Sequence, residues 1–344
     1  MKILVRATNW VGDAVMCIPA LEAVRARWPQ AEIAILARPW VADLYHGQPF
    51  ADRVIAQDAA PRNPFAIEGA ARTLRREHFD CAILLQNAFS AAWLAWRAGI
   101  RERIGYARDS RSFLLTRAIP VPAKGEIPAH EAYYYLELLR RAGWIEKVRD
   151  VGEIRLQLAP GTAEAAETQL LQAGLRAEGI RIALAPGAAY GSAKCWLPER
   201  FAEVADGLIG EFGADVILFG TNSEAEVCRQ IASRMRHRPV NLAGQTPIGE
   251  LPALFSRCQL FLGNDSGAMH VAAAVGVPVV AVFGPTDPEG TSPVTPSWSL
   301  VRHPVSCSPC FLRECPIDHR CMMRIEVADV HAAAMKWLEK AHHV

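Results

Sequence analysis

Short runs of Val, Ile, Leu and Ala alternate with longer amphipathic stretches along nearly the whole chain. In the first part the apolar runs are Lys2–Arg6, Glu32–Ala37, Arg53–Ala56, 80–86 and 103–106, separated by segments of helical pattern such as 20–28 and 66–77. Strand-length runs that are apolar throughout predict parallel strands covered on both faces by helices. A further helix is predicted over 130–142, stopped by Gly143. After Asp150 the pattern starts again. Its strands are Arg181–Ala185, 215–219, 259–263 and 277–283, and its helices are Pro198–Phe212, 223–236, 247–256 and 266–275.

Two such series predict an α/β protein of two Rossmann-like domains facing across a cleft, and 344 residues suit two cores better than one. The seam is expected near 158–167, where Ala159-Pro160-Gly161-Thr162 starts a helix, giving domains 1–160 and 161–344. The last helix, 326–343, could pack on either domain. A hydrophobic fraction of 51% and a charged fraction of 21% describe a folded chain with no disordered tail. Arg6 interrupts the N-terminus before a signal-peptide core could form. The most apolar stretch, 268–284, is broken by His270, Gly276 and Pro278, so it reads as a buried helix and strand rather than a membrane span. A cytoplasmic protein is expected.

Net charge is +1, but residues 1–125 hold 17 Lys/Arg against 11 Asp/Glu, and the remainder 20 against 25. Arg97, Arg101, Arg103, Arg108, Arg111 and Arg117 crowd one region. A charge run reads first as a solvated face, paired here to Glu102 and Asp109. The second reading is a surface for an anionic partner such as a phosphorylated lipid. The Lys density and interleaved aromatics of a nucleic-acid groove are missing, so no nucleic-acid partner is expected.

In open parallel sheets ligands bind beyond the carboxyl ends of the strands, near helix N-termini. Four loops fall there. Thr8-Asn9-Trp10-Val11-Gly12-Asp13 has one glycine where a dinucleotide turn has three, which disfavours a nicotinamide or flavin oxidoreductase. Asp13 reads first as an N-cap; its second reading is a base taking a proton from a hydroxyl. The loop 185–196 is rich in Gly and Ala, which admit a ligand to the backbone, and Lys194 offers a diphosphate a point charge. A plain surface lysine is the alternative. In Gly263-Asn264-Asp265-Ser266-Gly267-Ala268-Met269-His270, Asp265 or Ser266 can cap a helix whose free N–H groups face an anion. His270, one turn in, is either a core residue or a ligand contact. Phe283-Gly284-Pro285-Thr286-Asp287-Pro288 completes the floor.

Five cysteines, Cys17, Cys81, Cys195, Cys228 and Cys258, are scattered and read as small buried hydrophobes. Cys307, Cys310, Cys315 and Cys321 form C-x2-C-x4-C-x5-C with His303 and His319 nearby. That spacing admits a structural Zn²⁺ or iron–sulfur site without matching a standard one, and disulfides are not expected in a cytoplasmic protein.

Taken together, Asn9-Trp10-Val11-Gly12-Asp13, the 186–196 loop with Lys194, Asn264-Asp265-Ser266-Gly267-x-x-His270 and the run 278–287 resemble the ADP-heptose:lipopolysaccharide heptosyltransferases of glycosyltransferase family 9. The segment 307–321 resembles the heptosyltransferase II branch. The likeness spans nearly the whole chain. It departs from the heptosyltransferase I pattern at Ala189-Tyr190-Gly191, where that branch has threonines. The resemblance implies a GT-B fold and an inverting, metal-independent transfer of L-glycero-D-manno-heptose from ADP-heptose to the first heptose of the inner core, with no cofactor. Heptosyltransferases I and III, with other acceptors, are the nearest alternatives. By the same resemblance Asp13 is the general base and Lys194 offsets charge on the departing ADP. Tyr190, Gly191, Asp265, Ser266, Gly267 and His270 hold the donor's diphosphate and sugar. Glu224, with Glu226 as the alternative, meets the ribose, and the 242–246 segment ending at Thr246 lies beside the adenine. Asn9, Trp10, Arg101 and Arg103 face the lipid A–Kdo–heptose acceptor, and the basic half would bring the protein into peripheral contact with the inner membrane.

Overall fold

The computed structural model describes residues 1–57 and 64–342. By internal contacts the chain divides into two units, Met1–Val151 and Gly152–Val344. The division precedes the expected seam because 154–156 are tied into the second unit: Ile154 N–H donates to Val294 O at 3.1 Å and Leu156 N–H to Ala274 O at 2.9 Å.

The first unit runs β1 (Lys2–Arg6), α1 (Val11–Met16), α2 (Ile18–Arg27), β2 (Glu32–Ala37), α3 (Pro39–Tyr45), β3 (Arg53–Ala56), α4 (Pro64–Arg76), β4 (Cys81–Leu84), α5 (Phe89–Arg97), β5 (Glu102–Tyr106), β6 (Arg117–Ile119) and α6 (Glu131–Arg141). Its sheet is parallel throughout, in the order β3-β2-β1-β4-β5-β6. Central β1 buries Ile3, Leu4 and Val5 completely or nearly so, as its unbroken apolar run requires. Edge strand β6 has the sequence Arg-Ala-Ile and no apolar run to announce it.

The second unit runs α7 (Thr162–Gln172), β7 (Arg181–Ala185), α8 (Pro198–Phe212), β8 (Asp215–Leu218), α9 (Ala225–Arg234), β9 (Val240–Asn241), α10 (Leu251–Phe255), β10 (Leu260–Asn264), α11 (Gly267–Ala274), β11 (Val279–Val282), α12 (Pro288–Thr291), β12 (Trp298–Val301), α13 (Arg320–Met323) and α14 (Val327–His342). The order is β12-β11-β10-β7-β8-β9, again all parallel. Counted from the start of each unit, both orders are 3-2-1-4-5-6, the doubly wound arrangement of Rossmann domains. Helix α14 packs on α8 and on β10, β11 and β12, so it belongs to this unit's core; His343, included in the predicted helix, lies outside the described residues. Among the described residues no helix is long and apolar enough to cross a membrane.

Each winding reverses at a switch point, between β1 and β4 in one unit and between β7 and β10 in the other. The loops after those strands diverge there and leave room for a ligand. At the second point the two strands are packed so closely that a Cβ on Gly263 would lie 2.6 Å from the Ala185 carbonyl oxygen. Gly263→Ala should therefore force β7 and β10 apart and cost about 2 kcal/mol in urea unfolding. Gly210→Ala, in α8 with nothing within 4 Å of the new Cβ, should instead stabilise by up to about 1 kcal/mol in the same measurement.

Candidate active site

The loop 186–196, which follows β7, is pinned by one side chain at the end of β10. The fully buried Asn264 donates from its amide to Pro186 O at 2.6 Å and accepts the Trp196 N–H at 3.0 Å, clasping both ends of the loop. Trp196 is held in turn: its indole N–H donates to Ile325 O at 3.1 Å and its ring meets Phe201 edge-on at 4.9 Å. Within the clasped loop a short 3₁₀ turn, Ser192–Lys194, aims Lys194 inward. Its Nζ lies 2.5 Å from Asp265 Oδ2, and Thr286 donates its hydroxyl to that same oxygen at 2.6 Å. The side chains of the pair are only 11% and 4% exposed, so Lys194 is not a mobile surface lysine. Removing either partner alone would strand a buried charge, a change that typically costs 3–5 kcal/mol.

Because its carboxylate is occupied, Asp265 does not cap α11. Ser266 takes the N-cap position in an extended conformation but makes no side-chain cap bond, so the expected capping does not occur. Its Oγ is buried without a partner among the described residues. Helix α11 thus opens at Gly267 with no side chain on its end, beside an orphan hydroxyl and a buried ion pair, and the His270 side chain is buried one turn further in. This is the environment in which a helix N-terminus receives an anion. Tyr190 borders it, with Lys194 Nζ 5.0 Å from its ring centroid and its hydroxyl donating to Phe311 O at 2.6 Å; Gly191 follows.

At the end of β8, Glu224 folds back so that Oε2 accepts from the N–H and the hydroxyl of Thr221, both at 2.8 Å. Its carboxylate lies against Gly187, where a Cβ would stand 2.1 Å away. Glu226 is exposed and pairs with Arg229 on α9, so of the two acids only Glu224 borders the strand ends. In doubly wound nucleotide sites an acid at the end of the second strand meets the ribose hydroxyls. The loop after β9 lies alongside: Leu242 N–H donates to Leu218 O at 2.9 Å and Gly244 N–H to Gly220 O at 2.8 Å, with Thr246 half-buried beyond.

In the first unit Trp10, 47% exposed, holds the N-cap position of α1, and Asp13 is the third residue of that helix. The N-cap reading of Asp13 is therefore incorrect; its carboxylate sits half-buried in the first turn. Asp13 shares its surroundings with Glu131, the first residue of α6. Burial first, and the charge of Asp13 second, push the Glu131 carboxyl above its ordinary range, with Arg108 opposing. Asn9 is fixed on both sides: its Oδ1 accepts from Arg6 at 3.2 Å, and its carbonyl accepts the Trp40 indole N–H at 2.9 Å.

The structure does not group Arg101 and Arg103 with Asn9 and Trp10. Arg101 precedes β5 and Arg103 is its second residue, and a strand rising about 3.3 Å per residue sets them roughly 16 Å and 10 Å from the carboxyl edge. The Arg103 guanidinium donates to the carbonyls of Leu114 and Ile100 and buttresses the chain there. A buried arginine at the carboxyl edge beside Asn9 is Arg6, 5% exposed, bonded to Leu36 O at 2.9 Å and without an acidic partner among the described residues. Burial first, then the charge of Arg38, lowers its pKa to about 10. An arginine closing the apolar run Ile-Leu-Val was the sequence signal for it.

Cys17, Cys81, Cys228 and Cys258 are buried, while Cys195 is half-buried. Cys307 and Cys310 are exposed, Cys315 half-buried and Cys321 buried, all as free thiols. Among the described residues no three His, Cys, Asp or Glu are arranged to hold a metal ion.

Residues 68–320 match the family described as glycosyltransferase family 9 (heptosyltransferase). Lipopolysaccharide heptosyltransferase 2 of Escherichia coli is 33% identical over 313 residues, 88% of each chain, and lipooligosaccharide heptosyltransferase 2 of Haemophilus influenzae 30% identical over 88% of each. The solved ADP-heptose lps heptosyltransferase II of E. coli superposes with a TM-score of 0.86 at 28% identity, covering 99% of this chain and 100% of that one. The E. coli heptosyltransferase WaaC solved with ADP gives a TM-score of 0.72 at 18% identity over 99% of each chain, a likeness of fold. The fold is GT-B, and the chain is a glycosyltransferase that belongs to family 9, the heptosyltransferases.

Proposed function

We propose that this chain moves L-glycero-D-manno-heptose from ADP-heptose to the first heptose of the lipopolysaccharide inner core, a reading supported by its relatives named heptosyltransferase 2. The observation carrying the donor half is the buried Lys194–Asp265 pair beside the uncapped start of α11 and the unpartnered Ser266 hydroxyl. In this reading the second unit takes the donor: Glu224 meets the ribose, the 242–246 loop ending at Thr246 the adenine, and Tyr190, Gly191, Lys194, Ser266, Gly267 and His270 the diphosphate and sugar. The first unit takes the acceptor at Asn9 and Trp10.

The acceptor hydroxyl oxygen attacks the anomeric carbon from the face opposite ADP, inverting it. As that C–O bond forms, the bond from the anomeric carbon to the β-phosphate oxygen breaks and its electron pair leaves with ADP. Asp13 takes the hydroxyl proton. No metal enters this scheme, so the charge growing on ADP is met by Lys194, whose ammonium has N–H groups to spare while it stays on Asp265, and by the α11 N–H groups. A preorganised donor of this kind contributes on the order of 3 kcal/mol to transition-state stabilisation.

Exposed aromatics on α5 and the neighbouring turn support peripheral contact with the cytoplasmic face of the inner membrane. Phe89 stacks on Trp93 at 6.0 Å, Trp93 meets Trp96 at 5.0 Å, and Phe113 is 76% exposed 6.2 Å from Phe89. Rings of this kind favour the interface between headgroups and acyl chains.

ADP release should occur with ADP-heptose and a lipid A–Kdo acceptor carrying one heptose, and not with the same acceptor lacking it. Release only with the bare acceptor would reassign the chain to a sister heptosyltransferase, and release with neither would remove ADP-heptose as donor. Asp13→Asn should lower kcat by about 100-fold or more with ADP affinity held within about twofold; a large loss of ADP affinity would make Asp13 a binding residue. The raised Glu131 carboxyl keeps its proton to higher pH in the folded chain than in the unfolded one, so the stability linked to it rises as pH falls through the folded pKa. Glu131→Gln resembles the protonated form. Its urea midpoint should therefore match wild type at acid pH and exceed it increasingly as pH rises; a constant offset would disprove the linkage.

A further inference from the structure

We infer that Arg313 is a further residue of the donor site, a guanidinium that meets the diphosphate of the nucleotide sugar; this rests on the donor reading given above. The segment between β12 and α13, which carries the cysteines, runs as a strap across the loops that follow β7 and β11. Cys310 and Phe311 N–H both donate to Pro285 O at 2.9 Å, and the Ser308 hydroxyl donates to Gly284 O at 2.6 Å. On the other side Ala193 N–H donates to Arg313 O at 3.0 Å and His319 Nε2 to Ala193 O at 2.8 Å. The approach is close enough that a Cβ on Gly191 would lie 2.2 Å from the Arg313 carbonyl oxygen. The Arg313 backbone is thereby fixed one residue from Lys194, on the turn that aims Lys194 inward.

The side chain follows. The Arg313 guanidinium carbon lies 5.4 Å from the Tyr190 ring centroid, and Lys194 Nζ lies 5.0 Å from the same centroid. Two cations on one ring are not equivalent here. Asp265 neutralises Lys194 at 2.5 Å, whereas Arg313 has no carboxylate partner among the described residues, although Glu314 is its neighbour in sequence. Arg313 therefore carries the uncompensated positive charge at this border of the site. Its planar fork can hold two oxygens of a diphosphate through parallel N–H bonds, where a lysine offers a point charge, and Tyr190 restrains its plane by cation–π contact. An anionic group of the acceptor offers the same chemistry, so the test must separate the two.

The test measures binding of ADP and of adenosine to the full chain without acceptor, for wild type, Arg313→Ala, Arg313→Lys and Lys194→Gln, with thermal unfolding confirming that each folds. Arg313→Ala should weaken ADP about tenfold and leave adenosine unchanged, Arg313→Lys should fall between, and the salt dependence of ADP binding should flatten. Unchanged ADP affinity in Arg313→Ala, with Lys194→Gln weakened, would overturn the assignment and leave the donor site standing. Equal losses for ADP and adenosine would reduce Arg313 to a support of the loop, and an effect confined to the acceptor's KM would transfer it to the acceptor; either overturns it. If neither variant weakens ADP, the diphosphate binds elsewhere and the donor reading fails with the inference.

Discussion

The ligand edge of the second unit depends on the buried contact between Lys194 and Asp265. Neither charge could remain there alone, because an unpaired ion out of water loses more than the surrounding packing returns. Each is delivered by a different strand end: Lys194 by the loop after β7, Asp265 by the last turn before α11. Their meeting at 2.5 Å fixes the separation of those two loops at the switch point. Asn264 and Thr286 complete the arrangement, one clasping the Lys194 loop at both ends, the other bringing the loop after β11 to the same carboxylate oxygen. Three strand-end loops thus converge on one carboxylate.

That convergence leaves the polar groups unevenly matched. Asp265 is satisfied twice over, whereas Ser266 Oγ has no partner among the described residues and α11 has no side-chain cap. The first unit offers a contrasting edge. Arg6 is buried there with only neutral acceptors, and burial together with the charge of Asp13 raises the cost of ionising Glu131. One edge is organised around a buried ion pair, the other around a buried guanidinium on neutral acceptors and an acid held above its ordinary range.

Much of this was legible in the residues. Unbroken apolar runs gave the central strands within a residue or two, because a strand buried on both faces must be apolar throughout. The edge strands β6, β9 and β12 were not foreseen: Arg117–Ile119 and Val240–Asn241 are too short for any period, and Trp298–Val301 mixes Ser with its apolar residues. Of the site, the loops were legible and the partners were not. Lys194 was visible as a charge among small residues, but its pairing with Asp265 spans 71 positions and leaves no local trace. Ser266 followed the cap rule in position and broke it in bonding. Arg101 and Arg103 were grouped with Asn9 and Trp10 by charge, although the direction of β5 sets them at the opposite edge.

The glycines of the 186–196 loop show how local and long-range causes combine. Small residues there suggest a backbone cleared for a ligand, and a Cβ at either glycine would indeed collide, but with the protein itself. At Gly187 it would meet the Glu224 carboxylate at 2.1 Å, and at Gly191 the Arg313 carbonyl at 2.2 Å. The loop is small because two other segments, 37 and 122 positions further along, press against it. One brings an acid to the end of β8, and the other presents a guanidinium to Tyr190. The missing side chains therefore let the loop accept the residues that complete its border.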